Sequence, residues 1–205
     1  MKELPQTVFV VDDDDAVRNS LKLLLKSAGL HAEVFGSAPE FLAKYDAAHP
    51  GCLVLDVRMP GMSGLEMQHE LNIRGATIPV IFITGHGDIP MAVEAMQHGA
   101  FDFLQKPFRD QELLDRVQNA LTRDAENRMR LRLTDRIRER LASLSPRERE
   151  VLELVTQGKA NKMVAGDLGV SQRTVEIHRA HVMQKMEAGS LAELVRMMMT
   201  VARQP

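Results

Sequence analysis

Five residues scattered through the first half of the chain could build one reaction centre: Asp12, Asp13, Asp56, Thr84 and Lys106. Asp12 and Asp13 follow the apolar run TVFVV, Asp56 follows CLVL, Thr84 closes VIFIT, and Lys106 follows FDFLQ. Carboxylates brought together repel unless a cation sits among them. Hard oxygen ligands in this number suit Mg²⁺, which keeps waters and accepts phosphate oxygens. Lys106 can pair with a carboxylate or with an incoming phosphoryl group as a point charge, and Thr84 adds a hydroxyl. Asp14 and Asp15 read differently: acids at this spacing favour a helix N-terminus, and a solvated helix start accounts for them.

The elements that must position these groups are legible from hydrophobic pattern. Apolar, β-branched runs at Thr7–Val11, His31–Phe35, Cys52–Leu55, Pro79–Thr84 and Phe101–Gln105 alternate with amphipathic stretches at Ala16–Ala28, Ala38–Asp46, Ser63–Ile73, Ile89–His98 and Asp110–Leu121. Nearly continuous apolar strands belong to a parallel sheet covered on both faces. Five βα units predict a doubly wound, flavodoxin-like α/β domain with a five-stranded parallel sheet. In such a sheet the strand C-termini share one edge, where ligands bind, so the five residues converge there.

A second set of polar residues lies in the last third, where every segment reads as helix. Ser145-Pro146 with Glu148 starts one helix, which Gly158 ends. Asn161–Leu168 is a short helix closed by Gly169, Ser171 caps another running to about Met186, and Leu191–Ala202 is the last. Val164, Ala165 and Leu168 share one face, and Val175 and Val182 point back into the core. Gly169 permits a sharp turn, and the small Ala165 lets helices pack closely. The opposite face then presents Gln172, Arg173, Glu176, His178 and Arg179, groups that read base edges or bind phosphate. Lys162 and Lys185 suit phosphate. His178 and His181 also read as lightly packed surface residues, and no Cys/His set has zinc-ligand spacing.

Charge divides the same way. Residues 1–122 carry 10 Lys+Arg against 17 Asp+Glu, a net −7, and residues 123–205 carry 16 against 11, a net +5. The basic half is the natural partner for nucleic acid. Between the halves, residues 123–141 read as a charged helical linker continuing the last helix of the first domain. Met129, Leu133 and Ile137 lie on one stripe of it, too short to constitute a coiled coil. The domain boundaries expected are therefore 1–122, 123–141 and 142–205. No apolar run approaches the ~20 residues a membrane helix needs. The single cysteine, Cys52, permits no internal disulfide and reads as a reduced, buried thiol. A cytoplasmic location follows as the expectation.

The segments VFVVDDDDAVR, LVLDVRMPGMSGLE, VIFITGHGDIPMAVEAM and GAFDFLQKPF resemble response-regulator receivers, most nearly of the FixJ type. LSPREREVLELVTQGKANKMVAGDLGVSQRTVEIHRAHVMQKM resembles the LuxR/NarL-type helix-turn-helix. The resemblance implies that Asp56 accepts a phosphoryl group from a sensor histidine kinase. It implies Mg²⁺ held by Asp13, Asp56 and the backbone carbonyl of Arg58, with Asp12 assisting. Thr84 and Phe103 match the switch hydroxyl and aromatic, and Lys106 the phosphate-contacting lysine, preceding a cis proline. It also implies a homodimer on phosphorylation, with the apolar residues of Ile89–Met96 as candidates for its face, and promoter DNA and RNA polymerase as further partners. Many relatives carry Lys where Glu176 stands; Glu176 could instead accept from a cytosine amino group.

Enzymatic readings fit less well. A nucleotide-binding flavodoxin-like domain wants a donor-rich glycine loop after the first strand, where four aspartates would repel phosphates. A haloacid-dehalogenase-like phosphatase needs a second aspartate two residues after its nucleophile. Arg58 stands there, and arginine cannot serve as that acid. The reading is a regulator rather than an enzyme. The alternative is a receiver acting as a phosphate sink or protein-interaction switch without direct DNA binding.

Overall fold

The computed structural model describes residues 4–85 and 89–202. His86, Gly87 and Asp88, part of the string quoted above, lie outside the described residues, as do the chain ends. The chain divides into two compact units, residues 1–128 and 129–205.

The front unit holds β1 (Thr7–Val11), α1 (Asp15–Ser27), β2 (His31–Phe35), α2 (Ala38–Lys44), β3 (Gly51–Asp56), α3 (Gly64–Ile73), β4 (Val80–Thr84), α4 (Ile89–Gln97), β5 (Asp102–Gln105) and the first part of α5 (Asp110–Ala142). The strands form one parallel sheet in the order β2-β1-β3-β4-β5. Side chains alternate across it, and both faces are covered. Phe9, Val11, Leu53, Leu55 and Phe82 pack with α2, α3 and α4. Val8, Val10, Val54, Ile81 and Ile83 pack with α1 and with Leu113, Val117 and Leu121 of α5. Continuous apolar strands are thus the consequence of two buried faces. Cys52 is a free, buried thiol whose proton burial holds on more tightly than usual.

Element edges differ from the sequence reading by a residue or two. β4 begins at Val80 because Pro79 has no N–H to donate; its carbonyl still accepts from Leu53 N at 2.9 Å. β3 starts at Gly51, where a β-carbon would stand 2.0 Å from the carbonyl oxygen of Thr7.

The back unit contains the last turns of α5 with α6 (Pro146–Thr156), α7 (Asn161–Leu168), α8 (Gln172–Lys185) and α9 (Leu191–Ala202). Its core joins Ile137, Leu144, Val151, Val155, Val164, Ala165, Val175, Val182, Met186 and Leu194. Ser145 opens α6 with a reciprocal capping box to Glu148. Gly169 closes α7 in the left-handed conformation (φ 66°), and Ser171 caps α8 through Thr174 N at 3.1 Å.

The charged stretch after residue 122 is continuous with α5, and two of its charged side chains find partners in the front unit. Asp124 is fully buried; its Oδ2 accepts from Gly51 N at 2.9 Å and from Arg128 Nε at 2.7 Å. Arg128 also donates to the carbonyls of Ala47, Ala48 and His49. Of the apolar stripe, Met129 and Leu133 are exposed while Ile137 is buried. No described helix is long and apolar enough to cross a membrane.

Candidate functional site

The strand C-termini bring Asp12, Asp56, Thr84 and Lys106 to one edge. Asp12 follows β1 and is buried; its Oδ1 accepts from Asp14 N at 2.9 Å, which fixes the carboxylate's direction. Asp56 ends β3, also buried, with Oδ2 accepting from Arg58 N at 2.8 Å. The Lys106 ammonium lies between them, 2.7 Å from Asp12 Oδ2 and 2.8 Å from Asp56 Oδ1. Lys106 is aimed there by the turn after β5, where its N–H donates to Thr84 O at 2.7 Å and its bond to Pro107 is cis. Thr84 is buried at the end of β4.

The electrostatics follow from this packing. Burial pushes the Asp56 carboxyl above the usual aspartate range, and the Lys106 bond and charge work against that rise. Burial pulls the Lys106 amine down, but its bonds to Asp12 and Asp56 outweigh it and leave the amine raised. Lys106 is therefore charged, and it supports the Asp56 anion against the cost of burial.

Asp13 is exposed beside the pocket, while Asp14 is the helix cap of α1, accepting from Ala16 N at 2.8 Å, and Asp15 pairs with Arg18. The solvated-helix-start reading of Asp14 and Asp15 thus describes their roles. Phe103 is partly buried against the cluster under α2–α4, and pairs in register with Phe82.

Among the described residues no group of three or more His, Cys, Asp or Glu side chains stands close enough to form a metal cage. The donor set nonetheless suits a hard cation. Two buried carboxylates share one ammonium, and the exposed Asp13 adds another negative charge beside them. Oxygen ligands with leftover negative charge and open solvent access fit Mg²⁺, which is bound through few carboxylates and keeps water.

One residue essential to this geometry escaped the sequence reading. Gly64, at the start of α3, packs against the end of β3. A β-carbon there would stand 2.3 Å from the Asp56 carbonyl oxygen and 3.1 Å from Val57 Cα, and Gly64 N donates to Val57 O at 2.9 Å. The only sequence signal is a glycine just after a loop. Close approach becomes evident only once β3 and α3 are in place.

On the back unit, α8 exposes Gln172, Arg173 and Glu176, and α7 exposes Lys162. Arg179 is partly buried and donates to Asn161 Oδ1 at 3.0 Å. His178 is partly buried too, and its Nδ1 has no hydrogen-bond partner. Ile177, not singled out by sequence reasoning, shows 49% of its surface on the same side; an exposed isoleucine suits contact with a thymine methyl group. Lys185, read from sequence as suited to phosphate, also has a partner within the protein. Its ammonium sits 2.6 Å from Glu148 Oε2, so it is already paired within the protein.

Comparison with known proteins agrees with both halves. Residues 8–118 match the model of the response regulator receiver domain, and residues 142–198 that of the bacterial regulatory proteins of the luxR family. The chain is 55% identical to the transcriptional regulatory protein FixJ of Azorhizobium caulinodans, over 93% of this chain and 90% of that one. It is 53% identical to nodulation protein W of Bradyrhizobium diazoefficiens, over 95% and 86%. The solved structure of the response regulator StyR superposes with a TM-score of 0.86 at 48% identity, covering 95% of this chain and 98% of that one.

Proposed function

Because the chain belongs to the FixJ type of response regulators, with a receiver domain followed by a luxR-type DNA-binding domain, we propose that phosphorylation of Asp56 by a sensor histidine kinase controls its binding to promoter DNA. The observation that carries this reading is the Lys106 ammonium held between Asp12 and Asp56 at 2.7 and 2.8 Å. It marks the place where a phosphoryl group would meet both its nucleophile and a countercharge.

In the proposed transfer an Asp56 carboxylate oxygen attacks phosphorus, the P–N bond to the kinase histidine breaks, and its electron pair returns to the imidazole, which takes a proton. Burial opposes negative charge at Asp56, so the transfer depends on countercharge, which the Lys106 ammonium 2.8 Å from Asp56 Oδ1 would supply. Asp12, Asp13, Asp56 and the Arg58 carbonyl would hold Mg²⁺, which would offset charge on the phosphoryl oxygens. The new group brings roughly −1.5 to −2 charges. Lys106 would then pair with phosphate rather than Asp56, and the Thr84 hydroxyl would donate to it. Phe103, partly buried beside Thr84's strand, would follow inward. Half-exposed Val93 and Met96 on α4 would supply apolar surface for a homodimer.

On DNA, α8 would lie in the major groove, with Gln172, Arg173 and Glu176 near its N-terminus against base edges. Lys162, His178 and Arg179 would serve the backbone or the groove edge, and the bound dimer would engage RNA polymerase to activate transcription. The test is intact-mass measurement after treatment with acetyl phosphate and Mg²⁺. One phosphate should be added to the wild-type chain and none to Asp56→Asn. Equal phosphorylation of Asp56→Asn at another site would contradict the assignment.

A further inference from the structure

The C-terminal end of α8 is gripped by groups that lie outside it. Glu148, 4% exposed, is the centre. Its Oε2 accepts from Ser145 N at 2.8 Å, closing the capping box of α6, and the same oxygen accepts from Lys185 Nζ at 2.6 Å. Lys185 Nζ also lies 3.4 Å from Ser143 O, and His181 Nδ1 lies 3.6 Å from Glu148 Oε1. One residue further, Arg140 of α5 donates to the carbonyl of Met186, the residue that ends α8, at 3.1 Å and pairs with Glu187. Glu187 adopts a left-handed conformation (φ 50°), so the chain turns sharply there. Met186 itself is fully buried.

A lysine that binds a DNA phosphate must leave its nearest anion or share itself with it. On an open surface that costs little, because exposed ion pairs are weak. Here the anion cannot follow. Glu148 is fixed at the α6 cap, and Lys185 and Ser145 hold its carboxyl down to about 2. Withdrawing Lys185 would leave the 4%-exposed Glu148 carboxylate with only its Ser145 bond and the neighbouring His181, which costs more than losing a fully exposed pair. The ammonium and the Arg140 guanidinium also sit where the last carbonyls of α8 and its negative dipole end favour cations.

We propose that Lys185 is a positioning residue: with Glu148 and Arg140 it clasps the C-terminal end of α8 and sets the angle at which that helix meets DNA, rather than contacting a phosphate itself. The proposal rests on the reading that α8 carries the DNA contacts. It replaces the phosphate role that charge alone suggests for Lys185, and leaves Lys162 as a phosphate contact.

The two roles give opposite salt behaviour. Each lysine–phosphate contact contributes about 0.9 to the slope of log affinity against log salt, whereas a clasp contributes nothing to it. The probe is a labelled duplex recovered by the full-length wild-type chain from a randomised pool. Binding is measured across a salt series after acetyl phosphate treatment, at a temperature where circular dichroism shows every variant folded. Lys185→Met and Glu148→Gln should each weaken binding by about tenfold, the scale of one lost charge-assisted hydrogen bond. The double variant should be no weaker than either single one, Lys185→Arg should restore most of the loss, and all slopes should match wild type. Lys162→Met should flatten the slope by about 0.9. The proposal is overturned if Lys185→Met flattens the slope as Lys162→Met does, if Glu148→Gln binds as wild type, or if the two losses add. Failure of the α8 reading looks different: Arg173→Ala and Glu176→Ala would then leave both affinity and preferred sequence unchanged.

Discussion

Asp56 is a carboxylate that folding makes uncomfortable as an anion, and this has a measurable consequence. Its carboxyl is raised by burial, so the stability tied to its neutral form is complete below the ordinary aspartate value of about 3.9 and is lost as pH rises through the folded value. At neutral pH the protein carries that cost. Asp56→Asn removes it and leaves Lys106 bonded to Asp12, so its thermal midpoint should exceed that of wild type at pH 7, and the difference should shrink under acid. A lower midpoint at pH 7 would mean that the Lys106 bond outweighs desolvation. Gly64 gives a second expectation. Gly64→Ala places a methyl against backbone at 2.3 Å, so α3 or the Asp56 strand end must shift. The cost should be about 1–3 kcal/mol, and phosphorylation by acetyl phosphate should slow by about an order of magnitude through misplacement of the acceptor. An unchanged rate would show that Asp56 does not depend on this contact. The pocket was legible in sequence because Asp12, Asp56, Thr84 and Lys106 each end a strand, and parallel strands share an edge. Gly64 and Lys185 were not, since their meaning depends on what touches them. For Lys185 the partner lies 37 residues earlier.

Among the elements, α5 shows most clearly what composition leaves out. From Thr122 onward it is rich in charge and free of glycine and proline, which reads as a charged helical linker continuing the last helix of the first domain. Within it, buried Asp124 accepts from the Gly51 amide, and partly buried Arg128 donates to the carbonyls of residues 47–49. A charge pattern reports where polar groups are, not whether partners await them, and here backbone groups before β3 supply those partners. The other end of α5 belongs to the back unit: Ile137 is buried in its core, and Arg140 bonds to Met186 O. The helix-turn-helix itself was legible because its signals are local, with Ser145 and Ser171 as caps, Gly169 as a left-handed stop, Val164, Ala165 and Leu168 at helical spacing on α7, and Val175 and Val182 at helical spacing on α8. A DNA-binding fragment cut at the apparent linker end should therefore be impaired. A fragment beginning at Ser143 loses Ile137, a burial worth about 2–4 kcal/mol, along with the Arg140 bonds. A fragment beginning at Arg130 keeps them. Thermal unfolding followed by circular dichroism should show the longer fragment clearly more stable, and equal midpoints would remove α5 from the back unit's core.

Across the whole molecule, an acidic half carrying the Asp12–Asp56–Lys106 pocket is joined to a basic half carrying the luxR-type domain. A net −7 and a net +5 on one chain suit two different partners. The pocket belongs to one unit and α8 to the other, so on the proposed reading chemistry at Asp56 would act through changes in conformation or association. Moving a two-state switch from about 1% to about 99% active takes roughly 5.5 kcal/mol of differential stabilisation. Rearrangement of Lys106, Thr84 and Phe103 would supply part of this, and dimerisation the remainder. The most direct test is the affinity of the full-length chain for its selected duplex, measured with and without acetyl phosphate and Mg²⁺, for wild type and Asp56→Asn in parallel. Phosphorylation should tighten binding by wild type several-fold or more and leave Asp56→Asn at the unphosphorylated level. Wild-type binding that is indifferent to phosphorylation, or an Asp56→Asn chain that responds equally, would contradict control of DNA binding through Asp56.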